Sequence, residues 1–488
     1  MSKSGLILSG VCVAALLSLA RCSSPSSEPT QEGTGGATGS GGATSLGGAT
    51  GSGGVTSSGG ASGSGGATTT GSGGQGSGGA LGTGGKASGG ATGSGGATGT
   101  GGATGSGGGT GASKWVGTWT ASPYPVPAGN MPPAPLSNSV LRQVVHVSLG
   151  GGQIRVQFSN LSGNGPVVIN SAHVAVCRAA PAVDSTIDTA TDKAVTFSGV
   201  ASVTIAQGKE IWSDPIAFTI AALGNVSITT AFGSVPSGLT GHAGSRTTSY
   251  QQAGSGNVTA ANMASAQTVD SWYYISGIDV MADASATAVV AIGDSITDGR
   301  GTDTNDNNRW TDILSSRLRA NAPTANVAVM NQGIGATNLV GTTGTAAEAR
   351  FSRDVLGQSG VRYAIVFDGV NDIGGGASFA TMKPAYDKLI ADAHAKGLLI
   401  YGATITPFGG YAAYYTVAHE AVRQQVNTYL RSGAFDGFID FDAALTDGGN
   451  PPRLQAVYAT WAQMDGLHPG PAGYQKMGTS IDLTLFTK

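Results

Sequence analysis

Hydrophobic and polar positions change their period once along the folded part of this chain. From Trp115 to about Asp279 they alternate in short runs, at 144–148, 153–158, 203–205, 226–229 and 272–275, broken by Gly, Asn and Pro. A period of two is the mark of strands with one buried face, and no helical stripe interrupts it, so this stretch predicts an antiparallel β-sandwich. After about residue 285 the apolar runs become continuous and alternate with helical spacing. Strands are predicted at 286–292, 326–330, 361–367, 398–405 and 438–441, with the β-branched character of strands covered on both faces. A helix over 380–396 puts Tyr386, Leu389, Ile390 and Ala393 on one side and stops at Gly397. A second over 416–431 carries Val417, Ala421, Val422, Val426 and Leu430. Strands alternating with helices imply βαβ units, a parallel sheet and a three-layer α/β domain of about 200 residues.

Composition sets the rest of the chain apart. The 488 residues include 82 Gly, and only 11% are charged. Much of that bias lies in Gly-Gly-Ala-Thr-Gly-Ser-like units between Pro29 and Ser113, a tract too poor in aromatic and large aliphatic side chains to offset the entropy of ordering it. It reads as a flexible linker with an r.m.s. span of about 50 Å. A collagen reading fails, because Gly does not recur at every third position. Ahead of it, Lys3 and the apolar run 6–20 have the form of an export signal. The following Leu17-Ser18-Leu19-Ala20-Arg21-Cys22 resembles a bacterial lipoprotein cleavage box, departing from it at Arg21, which implies a lipid on Cys22 and a tether to a membrane. The expected organisation is a signal at 1–22, a linker at 23–113, a β-sandwich at 114–283 and an α/β domain at 284–488, in a protein of the cell envelope or outside the cell. The cysteines Cys12, Cys22 and Cys177 allow no disulfide framework, and Cys177 is expected to be a buried thiol. A formal charge of −3 offers no basic surface to nucleic acid.

The chemistry collects where strands end. The first α/β strand runs into Gly293-Asp294-Ser295, which is an ordinary helix N-cap in one reading and places a nucleophilic hydroxyl at the ligand-binding edge of a parallel sheet in the other. Polar clusters also follow the second strand (Asn331-Gln332-Gly333-Ile334-Gly335-Ala336) and the third (Gly369-Val370-Asn371-Asp372). Asp465-Gly466-Leu467-His468-Pro469 precedes the last helix. Acyl transfer needs a hydroxyl, an imidazole to take its proton, a carboxylate to orient the imidazole, and donors for the oxyanion.

In this order the four clusters resemble the sequence blocks of the SGNH, or GDSL, hydrolases over residues 286–488. The resemblance implies a flavodoxin-like three-layer α/β/α domain and a serine esterase acting through an acyl-enzyme. It makes Ser295 the nucleophile, His468 the base and Asp465 its partner. Ser295, Asn371 and one residue of the second block become the oxyanion donors. That block departs from the family: its usual glycine falls at Ala336, with Gly335 one position early, and both stay open. Arg309-Trp310, the segment 401–408 and Gly117-Thr118-Trp119 are similar to secreted bacterial members with an N-terminal β-domain. No cofactor is implied, and neither a His-Glu-x-x-His run nor a cysteine pair is present. The implied substrate is a short-chain acyl or acetyl ester of a polysaccharide or lipid. Alternatives are a lysophospholipase or thioesterase-like lipase, or a non-catalytic carbohydrate-binding or adhesion protein. His146, His173, His394 and His419 are expected to be packed or solvated, whereas His242, in a Gly-rich loop, is ambiguous, a place bordering the cleft being the lesser of its two readings.

Overall fold

Residues 112–177, 184–254 and 256–488 are described by a computed structural model of the chain, all within the unit Gly102–Lys488. The expected leader with Cys12 and Cys22, and the expected linker up to residue 111, lie outside the described residues. The alternating stretch forms two antiparallel sheets. One joins Ser113–Thr120, Ile275–Asp283, Gly151–Asn160 and Lys209–Trp212, with Ile216–Ile220 also on Gly151–Asn160. The other runs Gln267–Val269, Ser249–Ala253, Ser139–His146, Asn225–Phe232, Val167–Val176 and Lys193–Val195, with Val203–Ile205 beside Val167–Val176. Alternate residues of both, such as Ile154, Val156 and Ile278 from the first and Leu141, Val174 and Ile228 from the second, meet in one buried core, which makes the pair a sandwich. Cys177 is a buried free thiol.

The second half is built on five strands, β1 (Thr287–Gly293), β2 (Val327–Gly333), β3 (Val361–Phe367), β4 (Leu399–Ala403) and β5 (Gly437–Ile439). All pair in parallel, in the order β2-β1-β3-β4-β5, the doubly wound flavodoxin-like arrangement. The main helices are α1 (Trp310–Ala320), α2 (Phe379–Ala395), α3 (Val417–Arg431) and α4 (Pro471–Ser480). Alternation along β1 divides the layers. Val289 and Ala291 pack with Trp310 and Leu314 of α1 and with Tyr474 and Met477 of α4. Ala288, Val290 and Ile292 face the opposite side, with Leu389 of α2 and Val426 of α3.

The core on that second side continues into the sandwich, so the two halves share buried surface. They also share an edge. β2 is the outermost strand of the parallel sheet, and an open edge invites unwanted pairing. Here the sandwich covers it: the Val329 N–H donates to Ser148 Oγ at 2.9 Å, and Thr120 Oγ1 donates to the Asn331 carbonyl at 3.3 Å.

Candidate active site

Ser295 begins a one-turn helix, Ser295–Asp298, directly after β1. The capping role considered for the Gly-Asp-Ser run falls to its neighbour, because Asp294 Oδ1 accepts the Ile296 N–H at 2.8 Å. The turn is tight enough to require glycine in front of it. A Cβ on Gly293 would lie 2.3 Å from the Phe367 carbonyl oxygen and 2.4 Å from Thr297 Oγ1. With the cap supplied by Asp294, the Ser295 hydroxyl is left to lie 2.7 Å from His468 Nε2.

His468 arrives from the segment that leads into α4. Its Nδ1 is 2.6 Å from Asp465 Oδ2, while Asp465 Oδ1 accepts the N–H groups of Leu467 (3.0 Å) and His468 (2.9 Å). The short spacing therefore folds into a carboxylate-anchored turn. Burial works to raise the Asp465 carboxyl, but the imidazole of His468 and the two N–H donors outweigh it and hold the group down at about 2. His468 is itself depressed below the ordinary imidazole range. Burial is the main cause, the charges of Arg300 and Arg246 add to it, and Asp465 opposes it. A neutral imidazole whose Nδ1–H is held by a carboxylate presents the lone pair of Nε2 to the serine.

The Gly335–Ala336 loop lies against the serine, since a Cβ on Gly335 would be 4.0 Å from Ser295 Cβ. Its two candidate donors are not equivalent. The Gly335 N–H donates to Asp298 Oδ2 at 3.2 Å. Ala336 takes φ +60°, a left-handed conformation that costs a non-glycine residue about 1–2 kcal/mol. Asn371 opens the turn after β3. Its Nδ2 donates to the Thr337 carbonyl at 2.7 Å, and its Oδ1 accepts from the Tyr414 hydroxyl at 2.8 Å. A carbonyl only accepts, so the amide orientation is fixed, with one hydrogen of Nδ2 left over.

Several residues that support this geometry were not singled out by sequence. Tyr414, in the segment before α3, orients Asn371 from 43 positions away. Arg350 donates to the carbonyls of Gly293 (2.9 Å) and Gln332 (2.5 Å), clamping the ends of β1 and β2. Arg309, noted only for its resemblance, donates from Nε to the Asp298 carbonyl at 2.8 Å. Among the histidines, His146 meets Asn225, His173 meets Asp192, His394 meets Asp436 and His419 meets the Tyr414 carbonyl, all as packing partners. His242 is buried against Asp298. Among the described residues no group of three or more His, Cys, Asp or Glu side chains could hold a metal ion, and no helix is long and apolar enough to cross a membrane.

A doubly wound parallel sheet that carries a serine, an imidazole and a carboxylate in hydrogen-bonded sequence at its C-terminal edge defines the class of SGNH-type hydrolases. The profile of the GDSL-like lipase/acylhydrolase family matches residues 291–476. The chain is similar to several solved structures. One is a G-D-S-L family lipolytic protein from Desulfitobacterium hafniense, at 22% identity over 40% of this chain and 97% of the other, with a TM-score of 0.33. Another is an aryl esterase from M. smegmatis, at 15% identity over 40% and 95%, with a TM-score of 0.31. A third is a mutant acetyl-xylooligosaccharide esterase from Geobacillus, at 18% identity over 40% and 91%, also with a TM-score of 0.31. No curated protein matches the chain.

Proposed function

We propose that the protein is a serine esterase that cleaves carboxylic esters of short acyl groups, acetyl esters of a polysaccharide or lipid foremost, through an acyl-enzyme. The observation that carries this reading is the chain of contacts from Ser295 Oγ to His468 Nε2 (2.7 Å) and from His468 Nδ1 to Asp465 Oδ2 (2.6 Å). As His468 takes the hydroxyl proton, Ser295 Oγ attacks the ester carbonyl and Asp465 stabilises the imidazolium. The tetrahedral oxyanion is held by the N–H groups of Ser295 and Ala336 and by the remaining hydrogen of Asn371 Nδ2. Engagement of the Gly335 N–H by Asp298 favours Ala336 for the second donor. Collapse expels the alcohol, which takes the proton from His468, and water activated by the same base releases the acid.

A fluorophosphonate probe tests the reading: the wild-type protein labels and Ser295→Ala does not, and labelling of both would defeat it. A series of p-nitrophenyl esters of increasing chain length, set beside acetylated xylan and pectin, separates the short-acyl reading from a lysophospholipase or thioesterase. The rate should fall as the acyl chain lengthens.

Two further results are expected at the site. The base must be neutral, and burial depresses His468, so the acid limb of the kcat/KM profile should lie below the ordinary imidazole value of 6.5. Activity is then retained on acidification until the pH falls through the lowered His468 value. Tyr414→Phe removes the hydrogen bond that orients Asn371. It should reduce kcat about fivefold with KM unchanged, the value of one hydrogen bond of about 1 kcal/mol realised in the transition state.

We also propose export and a lipid anchor at Cys22, on the strength of the sequence box alone. Cys22→Ser should move the protein from the detergent-extracted membrane fraction to the soluble fraction.

A further inference from the structure

We infer that His242, contributed from the β-sandwich side of the molecule, is a positioning residue of the ester-hydrolysing site, holding Asp298 and through it both the Ser295 turn and the Gly335–Ala336 loop. This rests on the esterase reading above and adds a role for the sandwich that the family's own domain does not contain.

The short strand Thr240–His242 lies between Tyr124–Pro125 and Trp272–Tyr273, in a small sheet beside the two large ones. It seats the imidazole between the rings of Tyr124 and Trp272, at centroid distances of 5.5 and 5.9 Å. Nδ1 lies 3.0 Å from the Ser122 carbonyl, which can only accept, so Nδ1 carries hydrogen. Nε2 lies 3.0 Å from Asp298 Oδ1. Burial works against ionisation of Asp298, but His242, with the charges of Arg246 and Arg309, more than offsets it and holds the carboxyl below its usual range.

Asp298 then acts in two directions. Its other oxygen accepts the Gly335 N–H at 3.2 Å, next to Ala336, whose left-handed φ is sustained only if the surroundings impose it. Its own N–H donates to the Asp294 carbonyl at 2.9 Å, closing the turn on which Ser295 sits. The sandwich locks the carboxylate from the far side. A Cβ on Gly244 would be 2.1 Å from Asp298 Oδ2, and Arg309 ties Ser245 O (2.6 Å) to Asp298 O (2.8 Å). Nucleophile and oxyanion donor are thus referenced to one buried carboxylate, and that carboxylate is referenced to the sandwich.

The test uses the full chain with His242→Gln, Asp298→Asn and the double variant. Each single variant should lower kcat for p-nitrophenyl acetate by 10- to 100-fold with KM within about twofold, and the double should lose no more than the worse single, as members of one unit do. A fluorophosphonate should still label Ser295, more slowly. A merely structural role would lower the melting temperature and leave kcat per folded molecule unchanged. That result, or losses that multiply in the double variant, would overturn the inference. Inactivity of the wild-type protein itself would sink the esterase reading instead. One measurement is independent of activity and of whether the variants fold: the exposed Gly335 amide should exchange its hydrogen slowly in the wild-type protein, and exchange at an unprotected loop rate overturns the inference.

Discussion

Ser295→Ala is expected to reduce kcat toward p-nitrophenyl acetate by about 10⁵-fold or more, the loss typical of removing the nucleophile from a serine triad. The fold should barely register the change. Only one oxygen atom leaves a residue that is 8% exposed, and the hydrogen bond lost with it, to His468, is worth about 1 kcal/mol of stability. The remainder of the site stays in place, since the backbone N–H of residue 295, Ala336 and Asn371 are untouched. A residual acceleration of about 10³-fold over water should therefore persist, supplied by the oxyanion donors and substrate binding. Single-turnover kinetics on the purified variant, with its melting temperature measured in parallel, separate these two expectations. If the correctly folded variant retained as much as about a hundredth of the wild-type rate, another residue would have to be the nucleophile.

The residues in that argument were legible because their chemistry and their placement coincide locally. Gly293, Asp294 and Ser295 follow a continuous apolar strand, and Asp465 sits three positions before the His468 it binds, so the sequence pattern carries both motif and geometry. Strand β3 falls at 361–367 as the apolar run predicts. β4 does not, because the expected strand runs to Ile405 and the observed one ends at Ala403. The reason is tertiary: the Ile405 N–H is taken by Asn427 Oδ1 at 2.7 Å, and its carbonyl by Arg423 and Asn427, so side chains of α3 replace a neighbouring strand. Helix α1 went unread although Trp310, Leu314 and Leu318 stand four apart, a buried stripe diluted by Arg and Ser between them.

What sequence could not show are partners brought together by the fold. Tyr414 meets Asn371 across 43 positions, and His242 meets Asp298 across 56. Nothing near either residue announces the other. Ala336 is a third case. A glycine is what its left-handed backbone would suggest, and the alanine is accommodated because the loop is held from outside, by the Gly335 N–H on Asp298.

Asp465→Asn should lower kcat by about 10⁴-fold with little loss of stability, and the direction of the amide explains why. Asp465 Oδ1 accepts two backbone N–H groups, those of Leu467 and His468, so the amide oxygen of an asparagine must stay there; an NH₂ in that position would face two donors. The NH₂ is then forced to the place of Oδ2, 2.6 Å from His468 Nδ1. A donor there makes Nδ1 an acceptor and moves the ring hydrogen to Nε2, which lies 2.7 Å from Ser295 Oγ. Nε2 would then donate to the hydroxyl it must deprotonate, and the base is lost with every side chain still in position. A weakened base would recover as the pH is raised through the histidine value. A wrong tautomer would not, and its rate should climb only with hydroxide concentration. The pH profile of the variant, together with ¹⁵N shifts reporting which ring nitrogen bears hydrogen, distinguishes these outcomes; a loss smaller than about tenfold with the hydrogen still on Nδ1 would mean that Asp465 does not set the tautomer.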